Sequence, residues 1–276
     1  MIKPTYRYPF GRDWLAHTYT VPPTVFAAAP AATSSQSLRL QFDGQSFFIM
    51  LGLIAQRTGI FTTMMRKNNT AYMSGPITDQ CLWGTNTIGG GGGPMRPWLP
   101  HWLPRPIIMR PSTEFFFDVV NTSGAPNTIA LNAIGIRCFD LAEGEKLGCV
   151  RADNRLTKAP VEWYSYVLNQ VVGAAARMPQ TVQVLDFGGD FIAQQLMGVS
   201  TAAFSFQMMD TGMDRANWQD NFVSSVMGLG GAELPATIHP RRVKRNSSMT
   251  FDLRDDSGAP NTIQIVVEGY HEQPLA

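Results

Sequence analysis

Hydrophobic and polar side chains alternate along much of this chain with a period of two. Leu38, Leu40 and Phe42 share one face of an extended segment, Phe115, Phe117 and Val119 share another, and Ile129 and Leu131 a third. Successive side chains of a strand point to opposite faces, so the pattern predicts half-buried β-strands. The same alternation returns at Met249, Phe251 and Leu253 and at Ile263, Ile265 and Val267. Between the strands of each pair lies Ser-Gly-Ala-Pro-Asn. Glycine supplies positive φ, proline fixes φ and asparagine tolerates the left-handed region. Hairpin loops are therefore predicted at Ser123, Gly124, Pro126 and Asn127 and again at Ser257, Gly258, Pro260 and Asn261.

The two loops are copies. Ser-Gly-Ala-Pro-Asn-Thr-Ile occurs at Ser123–Ile129 and at Ser257–Ile263, preceded at equal spacing by Phe117-Asp118 and Phe251-Asp252. Upstream, Leu38–Gly44 resembles Val182–Gly189, Phe61–Met65 resembles Phe204–Met209, and Asp13-Trp14 resembles Glu162-Trp163. A repeat on this scale sets the fold: one unit, made mostly of strands, copied in tandem. From Phe42 to Ser123 is 81 positions and from Phe187 to Ser257 is 70, so the first copy carries about eleven extra residues. They fall where Gly89–Pro94 runs into Met95–Pro106.

The predicted fold is all-β: two tandem, internally duplicated, jelly-roll-like β-sandwich domains with an extended N-terminal arm. The boundaries are an arm over 1–17, a first sandwich over 18–140, a linker over 141–160 and a second sandwich over 161–276. Pro160–Arg177 taken alone passes for a helix, but its counterpart contains Pro22-Pro23, which a helix interior tolerates poorly, so strand is favoured. Gly198–Ser205 and Trp218–Met227 remain the best helical candidates.

Composition narrows the function. Charged residues make up 16% of the 276 and net charge is +1, so no basic field marks a nucleic-acid partner and no sequence-specific one is expected. No apolar run approaches the ~20 residues that cross a bilayer, so no membrane partner is expected. Cys81, Cys138 and Cys149 are too few and too dispersed for a disulfide framework and read as buried thiols. Low charge with many Gly, Pro, Thr, Asn and Phe suits a chain that buries surface in an assembly.

A search for chemistry returns little. His17, His101, His239 and His271 form no metal-binding spacing, and Gly89–Gly93 lacks the Lys-Ser/Thr ending of a phosphate loop. Asp252, Asp255 and Asp256 read as a solvated hairpin end more readily than a calcium loop, and His239–Arg245 as a basic strand edge. No catalytic residue, metal ligand or cofactor is assigned. Trp98 and Trp102, on a proline-braced loop, are the candidate interface anchors, joined by Tyr6, Tyr8 and Phe10 of the arm.

The order of these features in each half resembles a family of tailed-bacteriophage virion proteins built from tandem β-sandwich domains. Each half runs from an aromatic start through an Asp-Gly or Gly-Gly-Asp-Phe segment, a Phe-x-Phe or Thr-Phe-Asp strand and a Ser-Gly-Asn hairpin to an alternating return strand. The resemblance covers most of Trp14–Gly269 and implies a non-enzymatic structural role at a head–tail connector, collar or capsid surface. It further implies a homo-oligomer, contacts with other virion proteins, and a virion location after assembly in the host bacterial cytoplasm. Two alternatives stay open. One is a carbohydrate- or receptor-binding module with Trp98, Trp102, Trp163 and Trp218 stacking on sugars. The other is a double-jelly-roll major capsid protein of a tailless virus.

Overall fold

The computed structural model describes residues 14–29, 34–42, 44–68, 70–85, 99–139, 161–185, 189–211, 218–219 and 221–272. In the first domain the elements run β1 (Trp14–Phe26), β2 (Ser35–Gln41), β3 (Phe47–Arg57), β4 (Phe61–Lys67), β5 (Thr70–Ala71), β6 (Ile77–Thr78), α1 (Asp79–Leu82), β7 (Gly84–Thr85), β8 (His101–Met109), β9 (Glu114–Asn121) and β10 (Asn127–Cys138). The second runs β11 (Val161–Val172), β12 (Arg177–Gln183), β13 (Phe191–Ser200), β14 (Phe204–Asp210), β15 (Val223–Ser224), α2 (Ser225–Gly228), β16 (Ala236–Val243), β17 (Ser248–Asp255) and β18 (Asn261–Glu272).

Each domain is a pair of sheets with the same strand order. β1-β10-β3-β8 faces β2-β9-β4-β5 in the first, where the short β7 also pairs with β3 and β6 with β4, and β11-β18-β13-β16 faces β12-β17-β14-β15 in the second. The alternating residues meet between the sheets. Phe115, Phe117 and Val119 are fully buried in domain 1, as are Met249, Phe251 and Leu253 in domain 2. Each such large side chain contributes about 1.5–3 kcal/mol by leaving water.

Proline placement follows hydrogen-bonding need. Among the described residues, the strand prolines are Pro22, Pro23, Pro104, Pro106, Pro179 and Pro240, and all lie on the outer strands β1, β8, β12 and β16. A residue without an N–H fits only where no inward ladder bond is lost. Pro22-Pro23 also coincides with a bulge in the β1–β10 register, between Val21 and Thr24. The strand reading of Pro160–Arg177 holds over Val161–Val172, as β11; a turn at 173–176 then leads into β12 at Arg177.

Several expectations change. Trp14–His17, assigned to the arm, belong to β1 and pair with Cys138–Gly135 of β10. Gly198–Ser205 is not helical: it holds the end of β13, a tight turn and the start of β14. The helical turn lies at Ser225–Gly228, overlapping the end of the second candidate stretch. The matching of Leu38 with Val182 is two residues out. Leu40 and Val182 are the equivalent pair, opposite Phe115 and Met249. The linker 141–160 and the Gly89–Gly93 stretch lie outside the described residues.

The extra residues of the first copy are sharply placed. The backbone packs so closely at Gly84 and Gly230 that a Cβ would fall 2.1 Å from the carbonyl oxygen of Leu99 and Leu234 respectively. Fourteen residues separate the first glycine from its contact and three separate the second, a difference of eleven.

Candidate functional site at the domain contact

The two domains meet edge to face. Domain 1 presents β8, α1 and the segment 72–78; domain 2 presents the outer surface of β11, β18 and β13. Met73 bridges to Ser165 in parallel, with Ser165 N donating to Tyr72 O and Ser74 N to Ser165 O, both at 3.0 Å. Gln264 clamps the entry to α1. Its Oε1 accepts from Thr78 N at 2.8 Å and from Thr78 Oγ1 at 3.0 Å, while its Nε2 donates to Pro76 O at 3.2 Å and to Asn169 Oδ1 at 2.6 Å. Ala232 N donates to Gln80 O at 2.9 Å. Trp163, Met197 and Val266 of domain 2 extend the apolar core of domain 1 across the contact.

One ion pair is sealed inside. His101 and Glu268 are both 0% exposed. His101 Nδ1 lies 2.9 Å from Ala232 O, a carbonyl that can only accept, so this nitrogen carries a proton. Nε2 lies 3.2 Å from Glu268 Oε1 and 3.1 Å from Oε2, and Ser165 Oγ donates to Oε1 at 3.3 Å. Burial alone pulls the imidazolium pKa down; the adjacent Glu268 carboxylate outweighs this and holds it above the ordinary histidine value. Arg105 stacks nearby, 4.4 Å over the Tyr270 ring.

A second buried pair, Arg57 with Asp79, braces α1 from within domain 1. Burial raises the Asp79 carboxyl pKa, with the Arg57 guanidinium pulling the other way. These charges hold secondary elements together. Among the described residues no group of three His, Cys, Asp or Glu side chains could hold a metal ion.

The repeated hairpins are structural staples. Asn127 Oδ1 accepts from Thr58 N and Oγ1 at 3.1 Å and from Gly59 N at 2.8 Å, tying the β3–β4 turn to the β9–β10 hairpin. Asn261 Oδ1 does the same in domain 2, accepting from Thr201 Oγ1 at 3.1 Å and Ala202 N at 3.0 Å. Thr128 N and Thr262 N donate in turn to Thr58 Oγ1 and Thr201 Oγ1. Ser123 and Ser257 cap the loops by donating from N and Oγ to Asn121 Oδ1 and Asp255 Oδ1. Gly124 and Gly258 lie on the exposed turns beside Pro126 and Pro260. Only Gly258 has positive φ, at 75°, so the expectation of positive φ fails at Gly124. The difference traces to the preceding acid: Asp255 Oδ2 accepts from Gly258 N at 2.9 Å, whereas Asn121 Nδ2 is itself a donor, to Ala27 O and Ala125 O.

Of the proposed anchors, Trp98, Tyr6, Tyr8 and Phe10 lie outside the described residues. Trp102 is half exposed and lies over Gly52 of its own sheet. The residue that crosses to the other domain is its neighbour, His101. Trp163 is buried at the domain contact and cannot stack on a sugar. Trp218 is half-buried, with Arg241 5.6 Å over its ring. The basic run His239–Arg245 spans the end of the outer strand β16 and the start of the turn after it, and its Arg242 pairs with Glu272 at 2.8 Å. Cys81 and Cys138 are buried free thiols; Cys149 lies outside the described residues.

Sequence reasoning missed His101, Ser165, Gln264 and Glu268. A signal existed for the last two: Gln264 and Glu268 are polar interruptions in the apolar strand Ile263–Tyr270, and Glu268 is a full charge there.

No family model matches this chain, and no curated protein matches it in sequence. Solved structures do match. The STIV major capsid protein is 12% identical, with 95% of this chain and 98% of that one covered at a TM-score of 0.49. The major capsid protein P2 from bacteriophage PM2 is 10% identical, with 91% and 98% covered at 0.40. A chain of the atomic structure of Sulfolobus Turreted Icosahedral Virus is 11% identical, with 94% and 91% covered at 0.45.

Proposed function

We propose that this chain is a structural protein of a virion that acts by burying surface against other protein chains, not by turnover. The observation that carries the reading is the domain contact. Two copies of one sandwich are joined through unlike surfaces, the edge of one against the face of the next, with a sealed ion pair and a shared apolar core. Contacts between unlike surfaces propagate: they close into rings or extend into arrays. The non-catalytic part is supported by the buried charges, since His101, Glu268, Arg57 and Asp79 are all tied up in holding elements together.

Within the virion we favour the coat, as a double-jelly-roll shell protein, over the connector or collar placement. The edge-to-face join of two like sandwiches suits a tile that meets its neighbours sideways. The partners are then further copies of the chain and other virion proteins, and the location is the particle.

The test is sedimentation velocity of the purified protein over a concentration series, followed by negative-stain microscopy of the largest species. Closed rings or shells of uniform size are expected. A chain that stays monomeric at every concentration and instead binds a glycan would overturn the reading.

A further inference from the structure

The two sandwiches are separate bodies. Each has its own apolar core, and among the described residues no strand is shared between their sheets. Trp163, Met197 and Val266 are the fully buried domain 2 residues that pack into the domain 1 core. One isolated bridge, Met73 with Ser165, joins the two backbones as a β-pair. The rest of the contact is polar, and the sealed His101–Glu268 pair lies inside it. His101 reaches across from domain 1, and both of its ring nitrogens meet acceptors of domain 2. Nδ1 faces the Ala232 carbonyl at 2.9 Å and Nε2 faces the Glu268 carboxylate at 3.2 Å.

A single protonation state fits that geometry. A neutral imidazole carries one ring proton. With the proton on Nδ1, the Nε2 lone pair is turned on the Glu268 carboxylate; with it on Nε2, the Nδ1 lone pair is turned on the Ala232 oxygen. Either tautomer sets two acceptors against each other where both side chains are closed to solvent. The imidazolium donates to both. The neighbouring cations are engaged elsewhere: Arg105 of β8 lies over the Tyr270 ring of β18, and Arg57 of β3 pairs with Asp79 of α1. From β11, Ser165 Oγ donates to Glu268 Oε1, and from β13, Gln195 stands opposite Glu268 in register. Glu233 follows Ala232 and is half-buried. From α1 comes Cys81, whose thiol is pushed up to about 12 by burial, with the Glu268 and Asp79 carboxylates adding to it, so it stays neutral while His101 discharges.

We propose that the contact between the two sandwiches is a proton-operated latch, closed while His101 carries both ring protons and opened when that ring is neutralised, the sandwiches parting while each stays folded. Burial favours the neutral ring, and Glu268 overrides it in the closed form. In the open form His101 is in water, where its pKa is the ordinary one and therefore lower. The contact is at full strength below the ordinary value and weakens about tenfold per pH unit above it, until the raised closed-form value is passed. In a shell, the latch lets alkaline conditions change the shape of the tile with both sandwiches intact. That consequence rests on the assembly reading above; the latch itself does not.

Hydrogen–deuterium exchange of the full chain, read by mass spectrometry from about pH 6 to about pH 10 and corrected for intrinsic exchange, tests it. The amides of Ser74, Ser165 and Ala232 hydrogen-bond across the contact. Their protection is expected to fall about tenfold per pH unit above the ordinary histidine value, while peptides over Phe115–Val119 and Met249–Leu253 keep theirs. Two variants separate this from general alkaline loosening. Glu268→Gln removes the carboxylate and offers the neutral ring an amide N–H, so the contact amides are expected to stay protected through the alkaline range. His101→Gln has no ring to titrate, so their protection is expected to be independent of pH. Near-ultraviolet circular dichroism verifies folding, and should Glu268→Gln not fold, His101→Gln decides. Three results would overturn the latch. One is contact amides that stay protected to about pH 10 in the wild type. Another is a folded variant that loses protection along the wild-type curve. The third is core strands that lose protection together with the contact.

Discussion

The two domains share a fold, a hairpin and a helical turn, yet the turn is buried in one and bare in the other. α1 lies against domain 2 with its backbone carbonyl, its Cys81 and its neighbour His101 all engaged. α2 carries Val226 and Met227 into solvent. Where α1 is braced from below by the Arg57–Asp79 pair, the equivalent positions under α2 are Ser200 and Ser225, and a hollow remains. The same surface is therefore occupied in domain 1 and bare in domain 2.

The largest way to break the comparison is at the sealed pair. His101→Ala leaves the Glu268 carboxylate buried without its counter-charge, and a loss of about 3–5 kcal/mol is expected by urea unfolding. Domain 2 has Ala236 at the equivalent position, so no such lock exists there.

The hairpin staples should respond alike. Asn127 and Asn261 are both fully buried, and each deletion strands several backbone groups. Asn127→Ala and Asn261→Ala should each cost about 2–3 kcal/mol, equal to within about 0.5 kcal/mol, by the same unfolding measurement. The glycines should not respond alike. Gly258→Ala forces a side chain into the left-handed region and should cost about 1 kcal/mol, while Gly124→Ala should be near neutral.

The smallest effects are in pH. Asp255, held down to about 2 by Ser257 first and then by the Ala175 amide, has a pKa below its unfolded value. Its contribution is present above the unfolded pKa and is lost as pH falls towards about 2. His101 has the opposite sign: its contribution is complete below the unfolded histidine pKa and is lost as pH rises through the raised folded value. Melting temperatures from about pH 2 to about pH 9 should fall on both sides. Asp255→Asn should flatten the acid limb and His101→Gln the alkaline one.

Much of this architecture was legible. Alternation at Phe115–Val119 and Met249–Leu253 gave the strands, and the repeated heptapeptide gave the duplication, because local pattern and turn chemistry act within a few residues. The insertion was visible from spacing, and its length of eleven is fixed by the contacts of Gly84 with Leu99 and of Gly230 with Leu234. The contact between domains was not legible. His101 and Glu268 lie 167 positions apart, and nothing in either segment announces the other. Trp102 drew attention by its size, while the burial that matters fell on its neighbour because β8 is an outer strand whose alternate side chains face different partners. Gly198–Ser205 was misread because a short turn between strands has no period of its own.

The central claim is that this chain assembles with copies of itself into a shell, its two sandwiches held as one tile by the contact sealed around His101 and Glu268. Electron cryo-microscopy of the assembled protein tests it most directly. Closed particles of uniform size are expected, with the contact between the two domains intact in every chain. A protein that stays monomeric at every concentration, or particles in which the two domains of one chain have come apart, would contradict it.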